Sequence, residues 1–193
     1  MRNPQPLKDF IIAVTRLVEA GTPQRELPDG VAGHMKALIN ARDWLPPECA
    51  RPGGTSYCQY LLYCDPLERF SVVSFVWGPQ QLTPIHNHTV WGVIGQLQGA
   101  ELSQRFKPRA GGGMLQPFGE LELLKTGDVA RVTPPDDDVH RVSNPSETDV
   151  AISIHAYGAN IGRLPRTVFD PNTGEPSVFV SLYSNTALPN IWM

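Results

Sequence analysis

The first part of the chain carries its apolar residues at helical spacing. Between residues 6 and 20 they recur at steps of three and four, which places them on one helical face: Leu7, Phe10, Ile11, Val14, Leu17 and Val18. A glycine and a proline then end this helix. A second helix is predicted from Pro28 or Asp29 to about Trp44, where two consecutive prolines follow.

Beyond residue 48 the helical period gives way to short runs of β-branched and aromatic residues, separated by Gly, Pro, Asp and Asn. These runs predict eight strands, at residues 56–63, 70–77, 89–98, 100–106, 119–125, 128–133, 149–157 and 177–184. Between them we expect a flexible loop at 107–118 and a tight acidic turn at 134–138. The pattern predicts a mainly β fold, an antiparallel sandwich or barrel with a short N-terminal helical layer.

Composition agrees with this fold class and excludes several functions. Charged residues make up 18% and apolar residues 41%, which indicates a globular chain, and 17 Gly and 19 Pro fit many turns. The net charge is -3 and the basic residues are scattered, so we expect no nucleic-acid partner. The chain has no apolar run long enough for a membrane span and no signal-peptide pattern at its start, so a cytoplasmic protein is expected. Cys49, Cys58 and Cys64 are expected to be reduced thiols.

Three histidines in the predicted β region form a candidate metal site. His86 and His88 stand two apart, and on a strand this spacing directs both side chains to one face. His140 follows after a predicted turn, where a returning strand could bring it opposite the pair. Three neutral imidazoles at one point would bind a divalent transition metal. The pair alone is equally well explained as surface residues in a loop after Pro84.

The sequence around these histidines resembles the two motifs of the cupin superfamily. The first block reads G-x7-H-x-H-x3-G-x6-G over residues 78–99, and the second reads G-x12-H-x3-N over residues 127–144. The resemblance implies a jelly-roll-like antiparallel β-barrel, with one cupin domain over 1–193, its helical layer in 1–48 and its barrel in 55–185. Many cupins have a Glu ligand at the position of Gly92, so the resemblance implies a site of three histidines without a carboxylate.

A polar row follows in the strand that reads S-I-H-A-Y. Alternation places Ser153, His155 and Tyr157 on one face of this strand, and a buried polar row must be hydrogen-bonded. Seen alone, the row would be explained as satisfied core residues. Together with the histidines it resembles the thiol dioxygenases of the cysteine dioxygenase family, with matches from about residue 56 to 170. The resemblance implies one Fe(II) per chain and the addition of both atoms of O2 to a thiol, which gives a sulfinic acid.

The expected substrate follows from one difference within that family. Animal enzymes carry an Arg for the substrate carboxylate in a strand like Y-T-R-N-L, whereas residues 57–61 here read Y-C-Q-Y-L. Gln59 at this position resembles the Gln-type bacterial branch, the 3-mercaptopropionate dioxygenases. Gln cannot neutralise a carboxylate, so another cation is needed. Arg163 and Arg166 are the candidates in the next loop, and the resemblance favours Arg166, although an exposed, solvated arginine would also explain it.

The resemblance therefore implies a thiol dioxygenase whose partners are O2 and a small mercapto-carboxylic acid, with 3-mercaptopropionate favoured. Gly92 also stands where animal enzymes have a cysteine that cross-links to the tyrosine, so Tyr157 should remain a free phenol. Trp77 and Trp91 would form a dry wall or belong to the core. L-cysteine and mercaptosuccinate remain alternative substrates. A Zn or Mn isomerase or hydrolase and a non-catalytic cupin remain alternative functions, and the oligomeric state is open.

Overall fold

The computed structural model describes residues 3–109, 113–135 and 138–192. The chain begins with helices α1 (Gln5–Glu19) and α2 (Leu27–Asn40), followed by a 3₁₀ turn at Pro47–Ala50. Both helices agree with the prediction at their starts, but α2 ends before Trp44. Ala41 has an extended backbone, and this turns the chain so that Trp44 is buried in the core. No helix in the described ranges is long and apolar enough to cross a membrane.

Two antiparallel sheets form the rest of the described chain. Its strands are β1 (Cys58–Cys64), β2 (Ser71–Trp77), β3 (Ile85–His86), β4 (Gly92–Gln98), β5 (Ala100–Pro108), β6 (Leu115–Lys125), β7 (Val129–Val132), β8 (His140–Ser143), β9 (Ala151–Tyr157), β10 (Arg166–Phe169) and β11 (Pro176–Phe179). The five-stranded sheet has the order β1-β2-β9-β4-β7. The six-stranded sheet has the order β11-β10-β3-β8-β5-β6. The prediction of a mainly β, antiparallel fold with an N-terminal helical layer is confirmed.

The helices cover one face of the five-stranded sheet, so only its other face can line a cavity. In β9, Ile152, Ile154 and Ala156 pack with the helices in the main apolar core. The alternate side chains of β9 face the space between the sheets. Every residue of β9 is buried because both of its faces are covered. At Gly95 in β4, an added Cβ would lie 2.7 Å from the Met35 side chain, so the absence of a side chain lets α2 lie directly on the sheet.

In the six-stranded sheet, the predicted loop at 107–118 is wrong, and three short strands are present that the sequence does not predict. The segment 107–118 is mostly strand, because Lys107 pairs with Gln116 and Pro108 with Leu115 in the β5–β6 hairpin. Residues 110–112 of that segment, and 136–137 of the acidic turn, lie outside the described residues. The three strands that the sequence did not predict, β3, β8 and β10, have two to four residues each. Such runs are too short for alternation to be visible.

Candidate metal centre

A cavity of about 260 Å³ lies between the two sheets. The five-stranded sheet contributes Gln59, Phe75, Trp77, Ile94, His155 and Tyr157 to its wall, and the six-stranded sheet contributes His86, Glu101, Ser103, His140, Arg166 and Phe179. His88 and Tyr57, which lie outside the strands, also line it. Nearly all the residues that the sequence singled out therefore line one cavity between the sheets.

The three predicted metal ligands meet in this cavity. His86 in β3 and His140 in β8 are direct partners across the two strands. His88 lies two residues beyond the end of β3, so only His86 of the pair is in a strand, but both imidazoles face one point as the spacing predicted. One nitrogen from each ring lies within 4.8 Å of the others, and all three residues are buried. No Asp, Glu or Cys of the described chain belongs to this cluster.

Each of the three rings is held through its Nδ1 atom. The partners are the Pro84 carbonyl oxygen at 3.0 Å for His86, the Asp138 carboxylate at 3.1 Å for His88, and Ser103 Oγ at 3.0 Å for His140. A hydrogen bond at Nδ1 fixes the ring and leaves Nε2 as the metal-binding atom. Burial lowers the pKa of His86 to about 3 and that of His140 well below its usual value. Both rings are therefore neutral at pH 7, the form that binds a metal.

Asp138 holds the segment after β3, which carries His88, through three hydrogen bonds. Its Oδ1 accepts hydrogen bonds from both the backbone N–H and the Nδ1–H of His88, and its Oδ2 accepts one from the Thr89 backbone N–H at 3.0 Å. Burial alone would raise the pKa of Asp138, but these hydrogen bonds outweigh burial and keep it below its usual value. The ionised carboxylate also holds Thr89 at a φ of 61°, a conformation that is uncommon for residues other than glycine.

The polar row of β9 forms a continuous hydrogen-bond chain. Ser153 Oγ lies 2.7 Å from His155 Nε2, and His155 Nδ1 lies 2.8 Å from the Tyr157 hydroxyl. Trp77 Nε1 donates to Ser153 Oγ at 3.3 Å. Burial lowers the pKa of His155 and raises that of Tyr157, so both side chains are neutral at pH 7. A Cβ at Gly92 would lie 3.0 Å from the Tyr157 ring, so this position lies directly against the phenol.

Arg166 brings a buried positive charge to the same cavity. It is 5% exposed, and its Nη2 donates to Ser181 Oγ at 2.7 Å while the guanidinium lies 4.6 Å from the Phe179 ring centre. No carboxylate within the described ranges pairs with it, and its Nε has no hydrogen-bond partner there. Arg166 lies in β10, so its expected place in a loop is wrong. Arg163 is exposed and is not part of the cavity wall.

Gln59 lines the same cavity, but its side-chain amide is hydrogen-bonded within the protein. Its side-chain N–H groups donate to Ser181 Oγ at 3.1 Å and to the Leu182 carbonyl oxygen at 3.0 Å. Both amide donors are therefore used within the protein, and Gln59 is linked to Arg166 through Ser181. The Gln59 amide supports the arginine rather than offering a free donor to a ligand.

The remaining residues that the sequence singled out divide between the cavity and the core. Trp77 lines the cavity, whereas Trp91 packs in the core beneath the helices. The three cysteines are free thiols. Sequence reasoning missed Asp138, Ser103 and Glu101. Asp138 belongs to the acidic turn that the sequence marked, but the acidic residues there predicted only a change of direction, and nothing in the pattern of β5 distinguished its polar residues from solvated ones.

No protein-family model matches the chain. Among solved structures, an uncharacterized conserved protein with a double-stranded β-helix domain from Klebsiella pneumoniae matches at 16% identity with a TM-score of 0.47, over 72% of this chain and 97% of that one. A Cupin 2 conserved barrel domain protein from Salinispora arenicola matches at 17% identity with a TM-score of 0.44, over 63% and 92%. Oxalate oxidase in complex with the substrate analogue glycolate matches at 17% identity with a TM-score of 0.43, over 62% of each chain.

Two of these descriptions name the cupin or double-stranded β-helix fold that the motifs predicted. With TM-scores below 0.5, these similarities concern the fold alone.

Proposed function

We propose that this protein is a non-haem Fe(II) thiol dioxygenase that acts on a small mercapto-carboxylic acid, with 3-mercaptopropionate as the favoured substrate. The observation that carries the proposal is that the three-histidine cluster and a buried arginine without a carboxylate partner in the described ranges line one cavity. A metal ligand set and an anion-binding group in one cavity suit a molecule with a thiol at one end and a carboxylate at the other.

The donor set fits a divalent iron ion. Three neutral imidazoles leave the full positive charge on the metal, and they leave coordination positions for other ligands. Bound Fe(II) would supply those positions to a thiolate and to O2 and would carry the electron transfer between them. The protein would contribute His86, His88 and His140, each already held in orientation through Nδ1.

Arg166 would bind the carboxylate of the substrate. A guanidinium that is removed from water and has no anionic partner is costly to bury, so an incoming carboxylate compensates for this cost. Its Nη2 is held by Ser181, which fixes the guanidinium in the cavity wall, where it would donate charge-assisted hydrogen bonds to a carboxylate. 3-Mercaptopropionate lacks the ammonium group of an amino-acid thiol, and no carboxylate in the described ranges is in salt-bridge contact with Arg166 to receive such a group.

The proposed reaction consumes one thiol and one O2 and gives one sulfinic acid, R–SH + O2 → R–SO2H. Both oxygen atoms form bonds to sulfur, and the four electrons that reduce O2 come from sulfur, so no external reductant is required. Tyr157 would donate a hydrogen bond into the cavity, and His155 and Ser153 would position its hydroxyl. The apolar walls formed by Phe75, Trp77 and Ile94 would exclude water from the reacting atoms.

The test is oxygen consumption by the Fe(II)-loaded protein with 3-mercaptopropionate, L-cysteine and mercaptosuccinate side by side, with the sulfinic acid measured by mass spectrometry. We expect the highest kcat/KM with 3-mercaptopropionate and one O2 consumed per sulfinate formed. Preference for L-cysteine would keep the reaction and change the substrate. No oxygen uptake with any thiol, together with tight binding of Zn or Mn, would overturn the proposal in favour of a hydrolase, isomerase or binding protein.

A further inference from the structure

The segment that follows β11 joins the edges of the two sheets. β11 is the outermost strand of the six-stranded sheet, and β1 is the outermost strand of the five-stranded sheet. Residues 181–185, which we call the bridging segment, come after the first edge and hydrogen-bond to the second. Ser184 exchanges two hydrogen bonds with the Gln59 backbone, and Asn185 exchanges two with the Leu61 backbone. The bridging segment is therefore fixed along the edge of β1.

The first residue of the bridging segment contacts the buried arginine of the cavity wall. Ser181 Oγ accepts a hydrogen bond from Arg166 Nη2 at 2.7 Å and another from Gln59 Nε2 at 3.1 Å. These two donors use both lone pairs of the hydroxyl oxygen. The acceptor is uncharged, and no carboxylate of the described ranges is in salt-bridge contact with Arg166. Ser181 therefore holds the guanidinium without neutralising its charge.

The backbone next to Ser181 has an unfavourable conformation. Leu182 has a φ of 57°, which is uncommon for a bulky residue. Its N–H donates to the Gly162 carbonyl oxygen at 2.9 Å, and its own carbonyl oxygen accepts from Gln59 Nε2 at 3.0 Å. The Leu182 side chain is 62% exposed, so apolar burial does not offset the cost of this conformation. Backbone strain of this kind is concentrated at ligand sites, where it places a neighbouring group.

Tyr183 ties the bridging segment to the loop before β10. Its hydroxyl accepts from the Gly162 backbone N–H at 2.9 Å and donates to Asn160 Oδ1 at 2.6 Å. The segment is thus held by contacts of residues 182–185 that do not involve the Ser181 side chain. A substitution at Ser181 should therefore change the contact with Arg166 and leave the segment in place.

We propose that Ser181 is a positioning residue for the anion site, whose neutral hydroxyl holds the Arg166 guanidinium in the cavity wall and leaves its charge available for a ligand carboxylate. The consequence for turnover rests on the proposed function, whereas the position of the guanidinium does not.

The absence of charge on Ser181 is as important as its hydrogen bond. A carboxylate at position 181 would accept hydrogen bonds from the same two donors, Arg166 and Gln59, so the fold would keep its contacts. It would also form an internal ion pair with the guanidinium and compete with a ligand carboxylate for it. Ser181→Asp therefore separates the stability of the fold from the binding of an anion.

The first test measures the guanidinium in the ligand-free protein by NMR of the arginine side-chain N–H groups. In wild type, slow rotation about the Nε–Cζ bond should give the Arg166 Nη groups separate signals, which are identified by their loss in Arg166→Lys. Ser181→Ala should merge these signals because Nη2 loses its acceptor, and Ser181→Thr should keep them separate. Merged signals in wild type, or separate signals in Ser181→Ala, would overturn the inference.

The second test measures oxygen consumption by the Fe(II)-loaded protein. Ser181→Ala should raise KM for 3-mercaptopropionate about tenfold and keep kcat within about twofold of wild type, and Ser181→Thr should recover most of the loss. Ser181→Asp should lower kcat/KM about a hundredfold, because its carboxylate occupies the guanidinium. The thermal unfolding midpoint of Ser181→Asp should not fall, whereas a purely structural role of Ser181 would lower it together with kcat.

Ser177→Asp, which adds the same charge at an exposed position of β11, is the matched control and should keep the wild-type kcat/KM. An unchanged KM in Ser181→Ala would overturn the inference, and so would a wild-type kcat/KM in Ser181→Asp, which decides the question if Ser181→Ala fails to fold. If the NMR signals respond to Ser181 as expected but no thiol is oxygenated, the proposed function fails and the positioning role stands.

Discussion

His155 and the three-histidine cluster line the same cavity but use their ring nitrogens differently. In the cluster, one nitrogen of each ring is held by the protein and the other has no partner among the described residues. In His155, Ser153 occupies one nitrogen and Tyr157 occupies the other. A metal needs a lone pair that no hydrogen bond occupies, so His155 is excluded from coordination although it is as deeply buried as the others.

The two groups also stand on opposite walls. His86 and His140 belong to the six-stranded sheet, and the polar row belongs to the five-stranded sheet. The hydrogen bonds that orient the cluster and those that link the row share no residue, although the Tyr157 ring stacks on His88 with ring centres 5.6 Å apart. Substitutions in the cluster should change metal content, and substitutions in the row should change turnover while the metal stays bound.

The largest effect is expected from His140→Ala. Two imidazoles hold Fe(II) weakly, so we expect the metal affinity to fall by more than about a hundredfold and turnover to disappear, and the same holds for His86→Ala and His88→Ala. Metal analysis after dialysis and isothermal titration calorimetry give the measurement. His34→Ala, which changes an exposed histidine of α2, is the control and should bind metal normally. Stoichiometric iron in any of the three cluster variants would refute the three-histidine assignment.

The second largest effect is expected from Arg166→Ala. Loss of a charge-assisted, bidentate contact of about 1.5 to 3 kcal/mol should lower kcat/KM for 3-mercaptopropionate roughly ten- to a hundredfold, mainly through KM. Metal content should not change. Arg166→Lys should recover part of the loss, because lysine keeps the charge without the planar fork. The exposed Arg163→Ala is the control; if it impairs turnover and Arg166→Ala does not, the anion site has been placed on the wrong arginine.

A smaller effect on the cluster is expected from Asp138→Asn. An amide keeps one acceptor oxygen but loses the negative charge beside the His88 Nδ1–H, so we expect about a tenfold weaker metal affinity. Competition with a metal chelator, followed at pH 7, measures this change. Asp149→Asn, which alters an exposed carboxylate, is the control. Unchanged metal retention would mean that the Pro84 and Ser103 contacts orient the site without Asp138.

The smallest effect is expected from Tyr157→Phe. Only one hydroxyl is removed, so the metal affinity and the thermal unfolding midpoint should stay close to wild type, while kcat falls several-fold or oxygen uptake exceeds sulfinate formation. The ratio of O2 consumed to sulfinate formed is the decisive measurement. A ratio of one with an unchanged kcat would show that the polar row has a purely structural role. The difference between the histidine cluster and the polar row would then concern packing and not turnover.

The sequence predicted the positions of functional side chains where these side chains follow the period of a strand. Alternation in S-I-H-A-Y placed three polar side chains on one face, and β9 has that arrangement because the helices cover its other face. The grouping of His86 with His140 depends instead on the pairing of two strands too short to leave a pattern. Asp138 and Ser103 act through contacts with residues far away in sequence, which spacing along one chain does not encode.

The link from Gln59 through Ser181 to Arg166 has a consequence during protein synthesis. Gln59 and Ser181 are separated by 122 positions, and a ribosome needs roughly 6 to 25 s to add that many residues. Throughout that interval the amide of Gln59 has emerged or is emerging without its acceptors at Ser181 and Leu182. The anion-binding end of the cavity is therefore assembled late in translation, after the histidines and the polar row have already been synthesised.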